Sequence, residues 1–234
     1  MAPNDARDGT EMIALPGGLA LPNRDAVLAQ AIPFNRDRWI PRLPDPAWWP
    51  AALDECPRDG RWPKVDRKIV FRIAAGADTV EGRRHLFVAS LVWGSGTMAR
   101  AVSRRARIFR RSSPADIDAQ LGKALDVLHT RGSVEAYRAF NNDQWIPYLG
   151  PAFFTKVLYF AGHDAGADLR PVILDSAVAR ALRADGAVDS AWPKNGWTTP
   201  QYERYLEGVG AYAKLQAVLP DGVEAALFAC GKEV

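Results

Sequence analysis

A mainly α-helical fold with an irregular, proline-rich opening is predicted from three features of the chain. Ten of the 17 prolines fall within the first 63 residues, which denies that stretch long regular elements. From residue 79 onward, apolar positions recur at three- and four-residue steps, the period of a helix with one buried face. Strand signals are sparse, since only 68–73 and 171–174 are apolar runs whose length favours a strand. With 234 residues and 48% hydrophobic composition, the chain can bury one sizeable core without disulfides. Residues 1–78 are expected to form a wrapping region packed on that core, and 79–234 a helical domain.

In chain order, short helices are expected over 23–31 and 46–55, and Trp39, Trp48, Trp49 and Trp62 can anchor the wrapping layer by burial. Helices are then expected over 79–92, 97–110, 114–130, 133–141, 151–161, 176–184, 200–218 and 222–229. Ser113-Pro114-Ala115-Asp116 supplies a cap hydroxyl, a proline at the first helical position and an acid near the positive end of the helix. Tyr202, Tyr205, Leu206, Val209, Tyr212, Ala213 and Gln216 make one largely apolar face with tyrosine hydroxyls along it. Asp221-Gly222-Val223-Glu224 reads as a capping box with Asp in place of Ser or Thr. Gly94-Ser95-Gly96 is too short for a triphosphate loop and reads as a turn into an arginine-bearing helix.

The net charge is only +3, but it is unevenly spread. Eight arginines and no acid lie between Gly82 and Ala115; removing that +8 leaves −5 for everything else. A focused positive field suits a polyanion, although a solvated arginine-rich helix face has the same composition. Arg100, Arg104, Arg107 and Arg111 advance by about one helical turn and can track a phosphate backbone, while Arg105 points elsewhere. Cys56 and Cys230 are too few for a disulfide scaffold or a four-cysteine metal site, and His85, His129 and His163 lack ligand spacing. No metal and no cofactor are therefore expected. The polar, acidic beginning and the lack of a stretch near the roughly 18 apolar residues of a membrane helix point to a cytoplasmic protein without a membrane partner.

The most informative segment is Ile146-Pro147-Tyr148-Leu149-Gly150-Pro151, followed by an apolar run to Ala161 and then Asp175. Gly150 can adopt a backbone shape closed to other residues, and Pro151 starts the next helix. Free N–H groups at that helix start, around Leu149, Gly150 and Ala152, can grip a phosphate without reading sequence. The stretch 146–152 resembles the hairpin of the helix-hairpin-helix DNA glycosylase superfamily, Leu-Pro-Gly-Val-Gly-x-Lys. Ile173-Leu174-Asp175-Ser176-Ala177-Val178-Ala179-Arg180 is similar to that superfamily's Val-Asp-x-His-Val-x-Arg segment. The run from Leu149 to Phe160, joined to the segment around Asp175, closely resembles bacterial proteins with the 8-oxoguanine DNA glycosylase fold. That likeness covers roughly residues 85 to 230 and leaves the proline-rich beginning outside it.

Three positions depart from the pattern. Tyr148 occupies the first hairpin glycine position, Ala177 stands where the superfamily often has His, and Ala152 stands where lyase-competent members carry Lys. Lys156 lies one helical turn beyond Ala152, on nearly the same face. Anchoring on Thr155-Lys156 instead gives a spacing to Asp175 similar to that of the 8-oxoguanine enzymes; the glycine anchor is preferred here because it keeps the turn geometry.

The resemblance implies a DNA glycosylase of the EC 3.2.2 type that hydrolyses the N-glycosidic bond of a flipped-out base. Asp175 would favour positive charge developing on the sugar or orient an attacking water; its other reading is an ordinary helix N-cap. An amine held alone in an apolar run, as Lys156 is, could attack C1′, form a Schiff base and add abasic-site lyase activity; otherwise its stem packs against Phe153 or Phe160. Trp93, Phe153, Trp192, Trp197 and Tyr202 are the candidates for a base pocket, each of which could equally be a core residue. The expected partner is double-stranded DNA carrying a damaged or modified base, 8-oxoguanine or a hypermodified phage base, bound by a monomer in repair or antiphage defence. The alternative is a helix-hairpin-helix module that binds DNA without chemistry.

Overall fold

Proline and a few capping side chains decide how the opening of the chain folds. The computed structural model describes residues 13, 15, 18–164, 168–184, 186–188 and 192–233; the polar segment 1–12 lies outside the described residues. The helix expected over 23–31 is only α1 (Arg24–Leu28), capped by the Asn23 side chain, which accepts from the Ala26 N–H at 2.8 Å. Residues 31–33 instead form β1 (Ala31–Pro33), which pairs antiparallel with β2 (Lys64–Asp66), Ile32 opposite Val65. Between them lie α2 (Arg36–Trp39) and three single 3-10 turns, Ile40–Arg42, Pro46–Trp48 and Ala51–Leu53. The last two replace the helix expected over 46–55, because Pro50 lacks the N–H that would continue it.

The apolar run 68–73, expected as a strand, is α3 (Arg67–Ala74). Asp66 accepts from the Ile69 N–H at 2.7 Å, and Arg67, Val70 and Ile73 share the buried face. A cap and a three-residue step outweigh the β-branched content of so short a run. The next helices are α4 (Val80–Ser95), capped by Thr79, then α5 (Ala99–Arg105) and α6 (Arg107–Arg111). The single helix expected over 97–110 is thus broken at Ala106, so its arginines do not form one straight stripe. α7 (Pro114–Arg131) begins as its sequence indicates, Ser113 accepting from the Asp116 N–H at 3.1 Å. After it come α8 (Ser133–Asn141), α9 (Pro151–Gly162), α10 (Ser176–Ala184), α11 (Thr199–Leu215) and α12 (Pro220–Glu233).

From Leu86 to Trp93, α4 is buried all round, against α3, α7 and α9. Trp39, Trp48 and Trp49 belong to the same hydrophobic cluster as α4, α7 and α9, whereas Trp62 stays half-exposed under the Arg61 guanidinium, 4.7 Å from its ring. Asp221 and Glu224 do not form a capping box. Both are turned into the interior, Asp221 toward Arg24, Tyr159 and His163 and Glu224 toward Arg67. Among the described residues, no helix is long and apolar enough to cross a membrane.

Candidate active site

Residues 171–174 were expected as a strand, but no sheet partner lies beside them among the described residues. Their backbone is satisfied by side chains. His163 Nδ1 lies 3.0 Å from the Pro171 carbonyl, the Tyr202 hydroxyl donates to Val172 at 3.0 Å, and the Tyr205 hydroxyl donates to Ile173 at 2.9 Å. The Leu174 N–H donates to the Thr155 hydroxyl at 3.3 Å, which in turn donates to the Pro151 carbonyl at 2.7 Å. A buried peptide must pair its polar groups, and this one does so with the tyrosine row of α11 and the Thr155 turn of α9. The extended segment is thereby fixed up to Asp175.

At Asp175, the Oδ1 atom accepts from the N–H groups of Ala177 at 3.0 Å and Val178 at 3.3 Å, the cap of α10. Its Oδ2 atom receives Lys156 Nζ at 3.2 Å. Burial by itself would raise the Asp175 carboxyl, but the Lys156 ammonium and the two N–H groups hold it below the usual carboxylate range. Lys156 is only 3% exposed; it also donates to the Ala152 carbonyl at 2.7 Å, and its Nζ lies 5.8 Å from the Trp93 ring and 5.5 Å from that of Phe153. The amine facing Asp175 is that of Lys156, and position 152 contributes a carbonyl. Gly94 makes room for it: a Cβ there would stand 2.7 Å from Phe153 and 3.0 Å from the Lys156 stem.

The pair opens onto a cleft of about 390 Å³, lined also by Trp93, Arg180, Phe228 and Lys232. Phe228 and Lys232 are one turn apart on α12, the ammonium 5.1 Å from the ring. Their four-residue spacing was visible in the sequence, but not that α12 packs against α10. Behind the cleft, Arg67 and Glu224 pair at 2.7 Å with both side chains almost wholly buried. The Arg67 guanidinium lies 5.2 Å from the Trp93 ring and donates to Gln30 at 2.8 Å. Burial pushes the Glu224 carboxyl up against the pull of Arg67, and Asp175 adds to the rise.

Of the other base-pocket candidates, Phe153 stands between this cleft and a second one of about 500 Å³, where the Arg105 guanidinium lies 4.2 Å from its ring. Tyr202 and Trp192 are buried and line neither cleft, whereas Trp197, also buried, lines the second one. Tyr202 stacks on Tyr137 at 4.2 Å, and the Trp197 carbonyl accepts from the Tyr137 hydroxyl at 2.6 Å while its own indole donates to Pro193 at 2.9 Å. Trp192 is buried beside α10, its carbonyl accepting from Arg183.

The loop between α8 and α9 differs from its expected geometry at one point. Gly150 is in ordinary extended conformation, φ −85° and ψ 171°, and the left-handed residue is Tyr148, φ 67°. A left-handed backbone at a residue other than glycine carries a steric cost of about 1–2 kcal/mol. Leu149 buries its side chain and also lines the second cleft. Arg105 was expected to point elsewhere, yet it faces this loop, donating to the Tyr148 carbonyl at 3.4 Å. Arg100, Arg104, Arg107 and Arg111 are exposed, and Arg107 lies over the Tyr148 ring at 5.7 Å.

Comparison with curated proteins and with solved structures returned no match. A family model described as "Putative 8-oxoguanine DNA glycosylase OGG-like protein" matches residues 25–228. The match begins in α1, so it takes in the proline-rich stretch that the sequence motifs alone left out. Covering most of the chain, together with the α9–α10 constellation, it places this protein in the OGG-like DNA glycosylase family.

Proposed function

We propose that this protein cleaves the N-glycosidic bond of a damaged or modified base turned out of DNA, with Asp175 and Lys156 as its catalytic residues. The observation that carries this reading is the 3.2 Å approach of the Lys156 amine to an acid itself fixed by two backbone N–H groups, beside a cleft. As the bond to the base breaks, positive charge develops at C1′, and the ionised Asp175 stabilises it. Lys156, after giving up a proton, supplies the electron pair for a new C1′–N bond while the base leaves with the old pair and takes up a proton. Opening of the sugar ring then gives the imine from which strand cleavage proceeds. The exposed arginines of α5 and α6, with the backbone from Leu149 to Ala152, hold the phosphates.

The test is incubation with duplexes carrying 8-oxoguanine, uracil, an alkylated adenine or glucosylated hydroxymethylcytosine, the last representing a phage base. Base release from one of them is expected, reduced about 100- to 1000-fold in Asp175→Asn. Borohydride should trap a covalent complex that disappears in Lys156→Gln. Release that persists in Asp175→Asn removes the acid from the mechanism; release without trapping leaves water as the nucleophile. DNA binding with no release from any substrate points to a binding module instead.

A further inference from the structure

The second cleft, separated from the Lys156–Asp175 cleft by Phe153 and Ser176, has a character of its own. Trp145 and Tyr148, 58% and 43% exposed, are the exposed aromatic side chains among the described residues, and both line it. Exposed indole and phenol rings forgo burial that most of this chain's aromatics achieve. Tyr148 does so in a left-handed conformation that costs a non-glycine residue steric energy. Arg104 and Arg105 line it as well. Burial and its neighbour Arg104 lower Arg105 to about 10, as expected of two guanidiniums that an anion would relieve.

Stacking surfaces beside paired cations are the chemistry that recognises a nucleotide whose base is unstacked. Resting on the reading of the protein as a DNA glycosylase, we infer that this cleft binds a second, unpaired nucleotide next to the one being processed. The base stacks on Trp145 and Tyr148, and its phosphate meets Arg104 and Arg105. Locally unpaired DNA is then a better ligand than fully paired duplex, because extrusion of that nucleotide costs less there.

Anisotropy titrations of the full chain with fluorescein-labelled oligothymidylate, a paired duplex and the same duplex with a central bubble test this. Wild type should bind the bubble more tightly than the paired duplex. Trp145→Ala should weaken bubble and oligothymidylate binding about 5- to 100-fold and change the paired duplex by no more than about twofold. Tyr148→Gly, which relieves the backbone while removing the ring, should act in the same direction without lowering the melting temperature. Equal affinity of wild type for bubble and paired duplex overturns the inference. So does equal weakening of all three ligands by Trp145→Ala, or competition by polyglutamate as effective as that by unlabelled oligothymidylate. Base release by wild type alongside any of these results sinks the inference alone; a bubble preference without base release sinks the catalytic reading alone.

Discussion

The Asp175 side of the molecule and the Tyr148 loop sit on opposite sides of Phe153, yet they are built by opposite means. Around Asp175, side chains from α9 and α11 pair nearly every polar group of the entering segment, and the acid is held by its amine and the backbone of α10. Around Tyr148, rings and guanidiniums are left in solvent on a backbone held in an unfavourable conformation. The contrast matches two demands that the proposed function makes. Groups that act on a bond need fixed geometry in a dry place. Groups that receive a long, hydrated polyanion need to stay exposed until it arrives.

The comparison can be broken most forcefully at Arg67. Arg67→Met leaves Glu224 buried without its cation and should destabilise the fold by about 3–5 kcal/mol in denaturant titration. A loss under about 1 kcal/mol would mean that the pair does not hold α3 to α12. Gly94→Ala comes next. Its methyl group must displace Phe153 and the Lys156 stem, so a cost of about 1–3 kcal/mol is expected together with weaker borohydride trapping. Unchanged trapping would show that the amine tolerates movement.

A smaller effect concerns acid. The Asp175 carboxyl is lower in the folded than in the unfolded chain, so its pairing contributes stability above the unfolded-state value. That contribution is lost as pH falls through the depressed folded value, below the usual carboxylate range. Asp175→Asn should therefore flatten the acid limb of a melting-temperature profile and leave the alkaline limb alone. Smallest is Arg100→Ala on the exposed ridge. DNA affinity should fall about uniformly across sequences, with the salt slope reduced by about one and the melting temperature unmoved. Loss confined to one base context would place Arg100 at a base edge instead.

Local signals written in neighbouring residues were the most readable. The Ser113 cap, the Pro114 and Pro151 starts and the helical repeat of 199–215 needed only a few residues each. Short apolar runs were not, since 68–73 and 171–174 carry the same β-branched content and become a capped helix and a side-chain-bonded extended peptide. Asp221 and Glu224 have the spacing of a capping box, but the half-buried Arg24 of α1 and the buried Arg67 of α3 claim their carboxylates. Tyr202 and Trp192 read as pocket walls because aromatic character is visible in sequence and burial is not.

By itself the sequence determined the helical class, the start of α9 at Pro151, the clustering of positive charge and the likeness to the glycosylase family, because each depends on residues close together in the chain. Only the tertiary structure decided that Lys156 rather than position 152 meets Asp175, that α12 lines the cleft and that Arg105 faces the loop. Those contacts are set by how helices far apart in sequence pack, and by where Gly94 leaves space for a neighbour's side chain.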